Sequence, residues 1–230
     1  AQPLVLESYK TPVDTFSTNV MGTAHILDAA NKVKSVKAVG VSTTDKVYLN
    51  ENIGYKFNED SPLGGKDPYS ASKVGTEQVI RAWQQISMIN QGPSILSMRA
   101  GNVIGGGDWG EERLVPDLVR ALNANSKLII RNPDATRPWQ YVLDCLYGYL
   151  LVAQSHMEKK IDTPNSVNFG PDESLSVIDL IGLFEIAFGK KIEFEFSESP
   201  LPENEWLALD SNLARRYFGW SPSLSAAQAI

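Results

Sequence analysis

Tyr69 and Lys73 lie four residues apart in the segment PYSASK, which places them on one face of a helix. An ammonium group one turn from a phenol lowers the phenol's pKa, so the pair suits a general base. Moving a phenol from about 10 to near 7 needs roughly 4 kcal/mol of preferential stabilisation of the phenolate. An exposed charge pair contributes about 1 kcal/mol or less, so a further positive charge has to help. The spacing Ser70-x-x-Lys73 is also that of a penicillin-binding nucleophile, but neither S-D-N nor K-T-G occurs in the chain.

A second polar cluster, Ser42-Thr43-Thr44-Asp45-Lys46, directly follows the apolar run VKAVGV at residues 36–41. In parallel sheets ligands gather at the carboxyl ends of strands, so this position favours chemistry, with plain turn formation as the alternative reading. Lys46 as a base needs its pKa lowered by about three units. Asp45 as an acid needs the opposite environment, and the adjacent cation works against it; the two are expected to titrate as a coupled pair. Gly105-Gly106-Gly107-Asp108-Trp109-Gly110 matches G-x-G-x-x-G, but Trp109 and Glu111-Glu112-Arg113 intervene before the next apolar helix. A pyrophosphate site needs the helix to open at the loop, so a substrate-side loop is the better expectation. Arg131 and Arg137 flank NPDAT beside Trp139 and Tyr141, a set suited to diphosphate and nucleobase recognition or, alternatively, to surface ion pairs.

The elements that must position these groups follow from periodicity. Residues 36–41, 94–98, 127–131 and 166–169 are short apolar runs that predict strands. Helical spacing connects Phe16, Val20, Ala24 and Leu27 after an Asp14 cap, and Val74, Val79, Trp83 and Ile86 after Pro68. Residues 114–122, 143–157 and 177–188 continue the series. Alternating strand and helix predict an α/β fold with a mostly parallel sheet, right-handed crossovers and helices on its faces. From about Pro171 the pattern loosens, and a smaller lobe is expected at 171–230, with a helix, a charged strand at 191–196, a proline-containing loop at 199–202 and a short helix after Asp210; the alternative is that these are edge elements of one domain.

The 230 residues hold enough apolar material for a core, and a net charge of −6 disfavours nucleic acid and anionic membrane surfaces as partners. One cysteine, Cys145, excludes an internal disulfide, and with only His25 and His156 no usual Cys/His metal site can be assembled. The longest apolar stretch is far short of the roughly 18 residues that span a bilayer, and no signal peptide is visible at the start, so a cytoplasmic location is expected. The first residue is Ala, which predicts that the chain begins inside a longer protein.

Seven ordered blocks resemble the extended short-chain dehydrogenase/reductase family: AQPLV at 1–5, TFSTNVMGT at 15–23, TTDK at 43–46, PLGGKDPYSASK at 62–73, RAGNVIGGGDW at 99–109, RLVPDLVRAL at 113–122 and IIRNPDATRPWQYV at 129–142. Within that family the chain is similar to nucleotide-sugar 4,6-dehydratases, and Lys46 with NPDATRPWQ tilts the substrate toward CDP-glucose. The resemblance implies bound NAD and an internal redox cycle: a hydride leaves sugar C4, water is eliminated across C5 and C6, and the hydride returns to C6. It implies Tyr69 as base for the C4 hydroxyl and Lys73 on the nicotinamide ribose, with Asn19 and Thr43 also on the cofactor. Thr44 would hydrogen-bond the sugar, while Asp45 and Lys46 would handle protons at C6 and C5. Asn102, Arg113, Arg131, Arg137 and Asn168 would hold the nucleotide sugar. It further implies an α/β, Rossmann-like doubly wound parallel sheet with its N-terminal half truncated, a partial NAD-binding domain with catalytic residues at 1–170, a small substrate-binding lobe at 171–230, and a homodimer through the helices at 15–31 and 69–87. The family's glycine-rich first part, on the order of 80 to 90 residues, has no counterpart in these blocks, so the 230 residues alone are expected to be inactive. The rival expectations are a nucleotide-sugar epimerase and a catalytically silent fragment that only dimerises.

Overall fold

The computed structural model describes residues 1–52, 54–158, 163–197 and 204–230. The chain opens with α1 (Val5–Lys10) and α2 (Pro12–Phe16), which runs through a π-helical segment at Ser17–Met21 into α3 (Gly22–Lys32). Then come β1 (Ala38–Ser42), α4 (Pro68–Asn90), β2 (Ser94–Ala100), β3 (Asn102–Ile104), α5 (Leu114–Ala124), β4 (Leu128–Ile130), β5 (Thr136–Arg137), β6 (Trp139–Tyr141) and α6 (Val142–Met157). The last elements are β7 (Ser166–Phe169), β8 (Leu175–Ser176), α7 (Val177–Phe188), β9 (Phe194–Phe196), α8 (Asn212–Phe218) and α9 (Ala226–Ala229).

The four expected strands are present, and the charged run at 191–196 narrows to β9. Asp14 is corrected: Thr11 occupies the cap, Pro12 opens α2, and Asp14 sits in the first turn, where a carboxylate suits the positive end of the helix. α4 begins at Pro68 behind a reciprocal cap, in which Asp67 Oδ1 accepts the Ser70 amide at 2.9 Å and Ser70 Oγ accepts the Asp67 amide at 3.2 Å. The expected proline-containing loop at 199–202 lies outside the described residues.

β1, β2 and β7 form a parallel sheet in the order β1-β2-β7, with Val39 opposite Ile95 and Met98 opposite Val167. Residues 95–99 of β2 are all buried, as expected for a parallel strand covered on both faces. Side chains alternate across it: Ile95 packs with Leu27 and Ile80 from α3 and α4, whereas Leu96 and Met98 pack with Cys145 and Val152 from α6. α4 and α6 therefore lie on opposite faces of the sheet. Two further parallel pairs, β3–β6 and β4–β9, and the antiparallel pair β5–β8 surround a second core, where α5 and α7 bury Leu118, Leu180 and Phe184 against Ile130 and Trp139. α8 packs instead on α6 and β7, and Trp220 just beyond it stands edge-on to Phe169 while its indole donates to the Asp144 carbonyl at 2.8 Å. Among the described residues no helix is long and apolar enough to cross a membrane.

Gly148 is what lets α6 approach this aromatic layer, because a Cβ there would overlap the Phe169 ring and the Trp220 indole. Gly148→Ala is expected to lower the unfolding free energy by about 1–3 kcal/mol, the usual cost of overpacking. Gly182 in α7 has open space around it, so Gly182→Ala is expected to stabilise by about 0.4–1 kcal/mol. Urea titrations of the two variants would separate the effects by sign.

Candidate active site

Just past β1 the ladder continues for one residue, with the Thr43 amide donating to the Met98 carbonyl at 2.8 Å. The chain then turns through a 3₁₀ segment, Asp45–Val47, capped by Thr44, whose hydroxyl oxygen accepts the Lys46 amide at 3.3 Å. That hydroxyl also donates to Asp45 Oδ1 at 3.1 Å. Tyr69, in the first turn of α4, hydrogen-bonds to Thr44 as well. One turn further, Lys73 Nζ donates to the Ser42 carbonyl at 3.1 Å. Thr43, Thr44, Asp45, Tyr69 and Lys73 are all buried at this corner between β1 and α4.

Asp45 Oδ2 is buried without a hydrogen-bond partner. Burial pushes the Asp45 carboxyl up to about 6, against the downward pull of Lys46, the Thr44 hydroxyl and Arg137. The adjacent cation therefore loses to desolvation, and this carboxyl is poised to carry a proton near neutrality. Tyr69 requires a correction. Burial pushes its phenol up to about 12, the Thr44 hydrogen bond and Arg113 pull it down, and Asp45 and Asp67 push it further up. Lys73 does not supply the expected lowering, since its ammonium is engaged by Ser42; burial lowers its own value, opposed by Glu77.

Behind the corner lies a network that sequence reasoning missed. Glu77 and Arg99 form a fully buried two-point ion pair, Nε to Oε1 at 2.9 Å and Nη2 to Oε2 at 2.8 Å. Thr43 and Ser97 hydroxyls donate to Glu77 Oε1 at 2.7 and 2.6 Å. Arg99 Nη1 donates to the Tyr48 hydroxyl at 3.0 Å, and Tyr48 donates to Asn168 Oδ1 at 2.6 Å. The spacing Lys73-x-x-x-Glu77 was a signal for the first member; nothing local marked Arg99 or Tyr48.

Two residues expected at the ligands are engaged within the protein. Asn168 is fully buried, and its amide nitrogen donates to the carbonyls of Phe57 and Asp210, at 2.9 and 3.2 Å, so it braces the scaffold. Asn19 donates to the Gln2 carbonyl and Ser72 Oγ and accepts the Gln2 amide, which fastens the first residues to α4. The other positions fall around the corner. Arg137, nearly buried, donates to the Thr136 carbonyl and acts electrostatically on Asp45. Arg113 acts on Tyr69 and pairs with Asp108 at 2.8 Å. Asn102 lies in β3 opposite Trp139, and Arg131 is exposed one residue past β4.

Comparison with known proteins matches residues 1–230 to the family described as GDP-mannose 4,6 dehydratase. The chain belongs to this family. It is 41% identical over 231 residues to CDP-glucose 4,6-dehydratase of Salmonella typhimurium, covering 96% of this chain and 64% of that protein. The fold matches a solved NAD-dependent NDP-hexosamine 5,6-dehydratase with a TM-score of 0.85 at 29% identity, over 100% of this chain and 72% of that one. It also matches UDP-glucuronic acid 4-epimerase from Bacillus cereus with a TM-score of 0.86 at 22% identity, over 100% and 70% of the two chains. The chain thus spans just under two thirds of the length of its most similar curated relatives among those compared.

Within this dehydratase family frame, the residues present fit one end of a dinucleotide. Lys73, Thr43 and Tyr69 stand at the carboxyl end of the parallel strand β1, the end at which ligands gather in α/β sheets. The loop at 105–110 does not fit the pyrophosphate end. α5 opens only at Leu114, and Arg120 already donates to the carbonyls of Trp109 and Gly110 at 3.1 and 3.0 Å.

The raised carboxyl has a stability consequence with a definite sign. Between about 4, its unfolded value, and about 6, folded Asp45 holds a proton that the unfolded chain has lost, so stability falls as pH rises through this window. Asp45→Asn is expected to remove that slope and to stabilise the chain by about 3 kcal/mol near pH 7, with little effect near pH 4. Urea unfolding at the two pH values checks it, and an unchanged slope in the variant would assign the titration to another group.

Proposed function

We propose that this chain supplies the catalytic and sugar-binding part of a cytoplasmic, NAD-dependent 4,6-dehydratase acting on CDP-glucose. The observation that carries the reading is Asp45: a buried carboxyl with an unpartnered oxygen, pushed up to about 6, beside Tyr69. Epimerisation at C4 needs a base there and no acid for a leaving hydroxyl. Elimination of water needs both, and the identity to CDP-glucose 4,6-dehydratase supports this choice of substrate.

Tyr69 takes the proton of the C4 hydroxyl as that carbon is oxidised. When bound, NAD supplies the acceptor for the C4 hydride and the donor that returns it to C6. Lowering Tyr69 from about 12 to near 7 takes about 7 kcal/mol of phenolate stabilisation. A neutral Asp45 contributes by removing one of the charges that push the phenol up, and Arg113 and the positive nicotinamide ring add attraction. With C4 a ketone, the C5 proton is acidic enough for Lys46 to remove. Asp45 then donates its proton to the departing C6 hydroxyl, and the proton taken up by Lys46 returns to C5 as C6 receives its hydride. Lys73 and Thr43 hold the cofactor ribose, Thr44 the sugar. Arg113, Arg131, Arg137 and Asn102 hold the CDP moiety.

These roles separate under mutation in the protein expressed from its full gene. Tyr69→Phe should abolish oxidation at C4 and with it exchange of the C5 hydrogen, whereas Asp45→Asn should still exchange the C5 hydrogen with deuterated water but slow loss of water by about 10²–10⁴-fold. Mass spectrometry of CDP-glucose incubated in deuterated water reads both steps. Water loss at the normal rate in Asp45→Asn would remove the acid from the mechanism.

The expected homodimer through the helices at 15–31 and 69–87 is supported by exposed apolar side chains on those elements. Val13, Phe16, Met21 and Ile26 line the outer side of α2 and α3, with Ile86 and Ile89 exposed on α4. A charge placed there costs far more in a buried interface than in water. Phe16→Glu combined with Met21→Glu should convert a dimer to a monomer in sedimentation experiments; unchanged mass would locate any interface elsewhere.

A further inference from the structure

Residues 205–210 form an extended segment gripped from both sides. On one side they pair with β5: the Thr136 amide donates to the Glu205 carbonyl at 2.8 Å, and the Leu207 amide donates to the Thr136 carbonyl at 3.1 Å. On the other they pair with Phe57, whose amide donates to the Ala208 carbonyl at 2.9 Å and whose carbonyl accepts the Asp210 amide at 2.8 Å. Leu207 and Leu209 are buried with Val47, Tyr48 and Phe57, so a core fixes the far half of the segment. The near half is less deeply seated, since Glu205 is exposed and Trp206 half-buried. Two side-chain amides tie it to the connection that follows Asp45–Val47. Buried Asn50 donates through Nδ2 to the Trp206 carbonyl at 2.5 Å, and Asn52 Oδ1 accepts the Glu205 amide at 3.1 Å. Asn50 Oδ1 in turn accepts the Asn52 amide at 2.8 Å, at a turn where Asn52 is left-handed with a φ of 57°.

We infer that Asn50 is a positioning residue for Arg137, acting through Trp206 and Thr136. Arg137 Nη1 donates to the Thr136 carbonyl at 2.9 Å, and that same carbonyl accepts the Leu207 amide. Residues 205–207 therefore set where the carbonyl lies, and the carbonyl sets where the guanidinium points. A guanidinium reads a diphosphate through paired N–H bonds in one plane, so a small rotation costs it one of the pair. Asparagine suits the task because its amide carries a donor and an acceptor, which join the Trp206 carbonyl and the Asn52 amide at once. The proton-transfer residues do not depend on it: Thr44 caps Asp45–Val47, and Val47 and Tyr48 are seated in the core. The inference rests on the reading of Arg137 as a ligand of the CDP moiety.

The test uses the protein expressed from its full gene and reads its affinity for CDP, with UDP as a second probe, by calorimetry. Arg137→Ala should weaken CDP binding by about 10–100-fold and Asn50→Ala by about 3–10-fold, the scales of a charge-assisted and an ordinary hydrogen bond. In the Arg137→Ala background, Asn50→Ala should add less than about twofold, because the group it positions is gone. Lys56→Ala cuts an exposed tie of the same connection to the Asp172 carbonyl and should leave CDP affinity unchanged. With CDP-glucose at saturation, Asn50→Ala should keep exchange of the C5 hydrogen within about twofold, so that its loss appears in KM and not in kcat. If Asn50→Ala fails to fold, Asn50→Asp decides, because it keeps the acceptor for the Asn52 amide and removes only the donor. Normal CDP affinity in a folded Asn50 variant, or losses that add to those of Arg137→Ala, would overturn the inference and leave the proposed function standing. The same non-additive losses with UDP in place of CDP would uphold the inference and count against CDP-glucose as substrate. CDP affinity untouched by Arg137→Ala would overturn both.

Discussion

The buried pair of Glu77 and Arg99 is the constraint on which the rest of the structure depends. It joins α4 to β2 through two hydrogen bonds in a fixed fork, and, Ser97 of β2 aside, the groups in its network come from other parts of the chain. Thr43 follows β1, Tyr48 and the Glu59 carbonyl belong to the long connection before α4, and Asn168 belongs to β7. Removing either charge strands the other in the interior, at a cost of about 3–5 kcal/mol, whereas a well-packed apolar replacement of both is often neutral. The pair's importance is therefore in register. Glu77 is one turn beyond Lys73 and two beyond Tyr69, so locking Glu77 onto Arg99 sets where both side chains meet the end of β1.

Two buried carboxyls within the same few turns are driven in opposite directions. Glu77 faces a guanidinium and two hydroxyl donors, which together outweigh its burial and hold it below its ordinary value. Its contribution to stability is present above the unfolded carboxylate value and is lost as pH falls through the lowered folded one. Asp45 faces one hydroxyl, a lysine and a more distant arginine, which do not outweigh burial, and its second oxygen has no partner. The first carboxyl is satisfied and serves as scaffold. The second is left incomplete, the condition under which a proton is exchanged near neutrality.

Local motifs made much of the corner legible. Tyr69 and Lys73 share a helical face by spacing, and Thr44-Asp45 follows an apolar, β-branched run that reads as a strand. The contacts of Asn19 and Asn168 were not legible, since a polar residue inside a motif looks alike whether it faces a ligand or the backbone of Gln2 or Phe57. β3, β5, β6 and β8 span two or three residues each, too few for any period to register. Arg99 was invisible for a different reason: its partners Glu77 and Tyr48 lie 22 and 51 residues away, and no local pattern encodes such contacts.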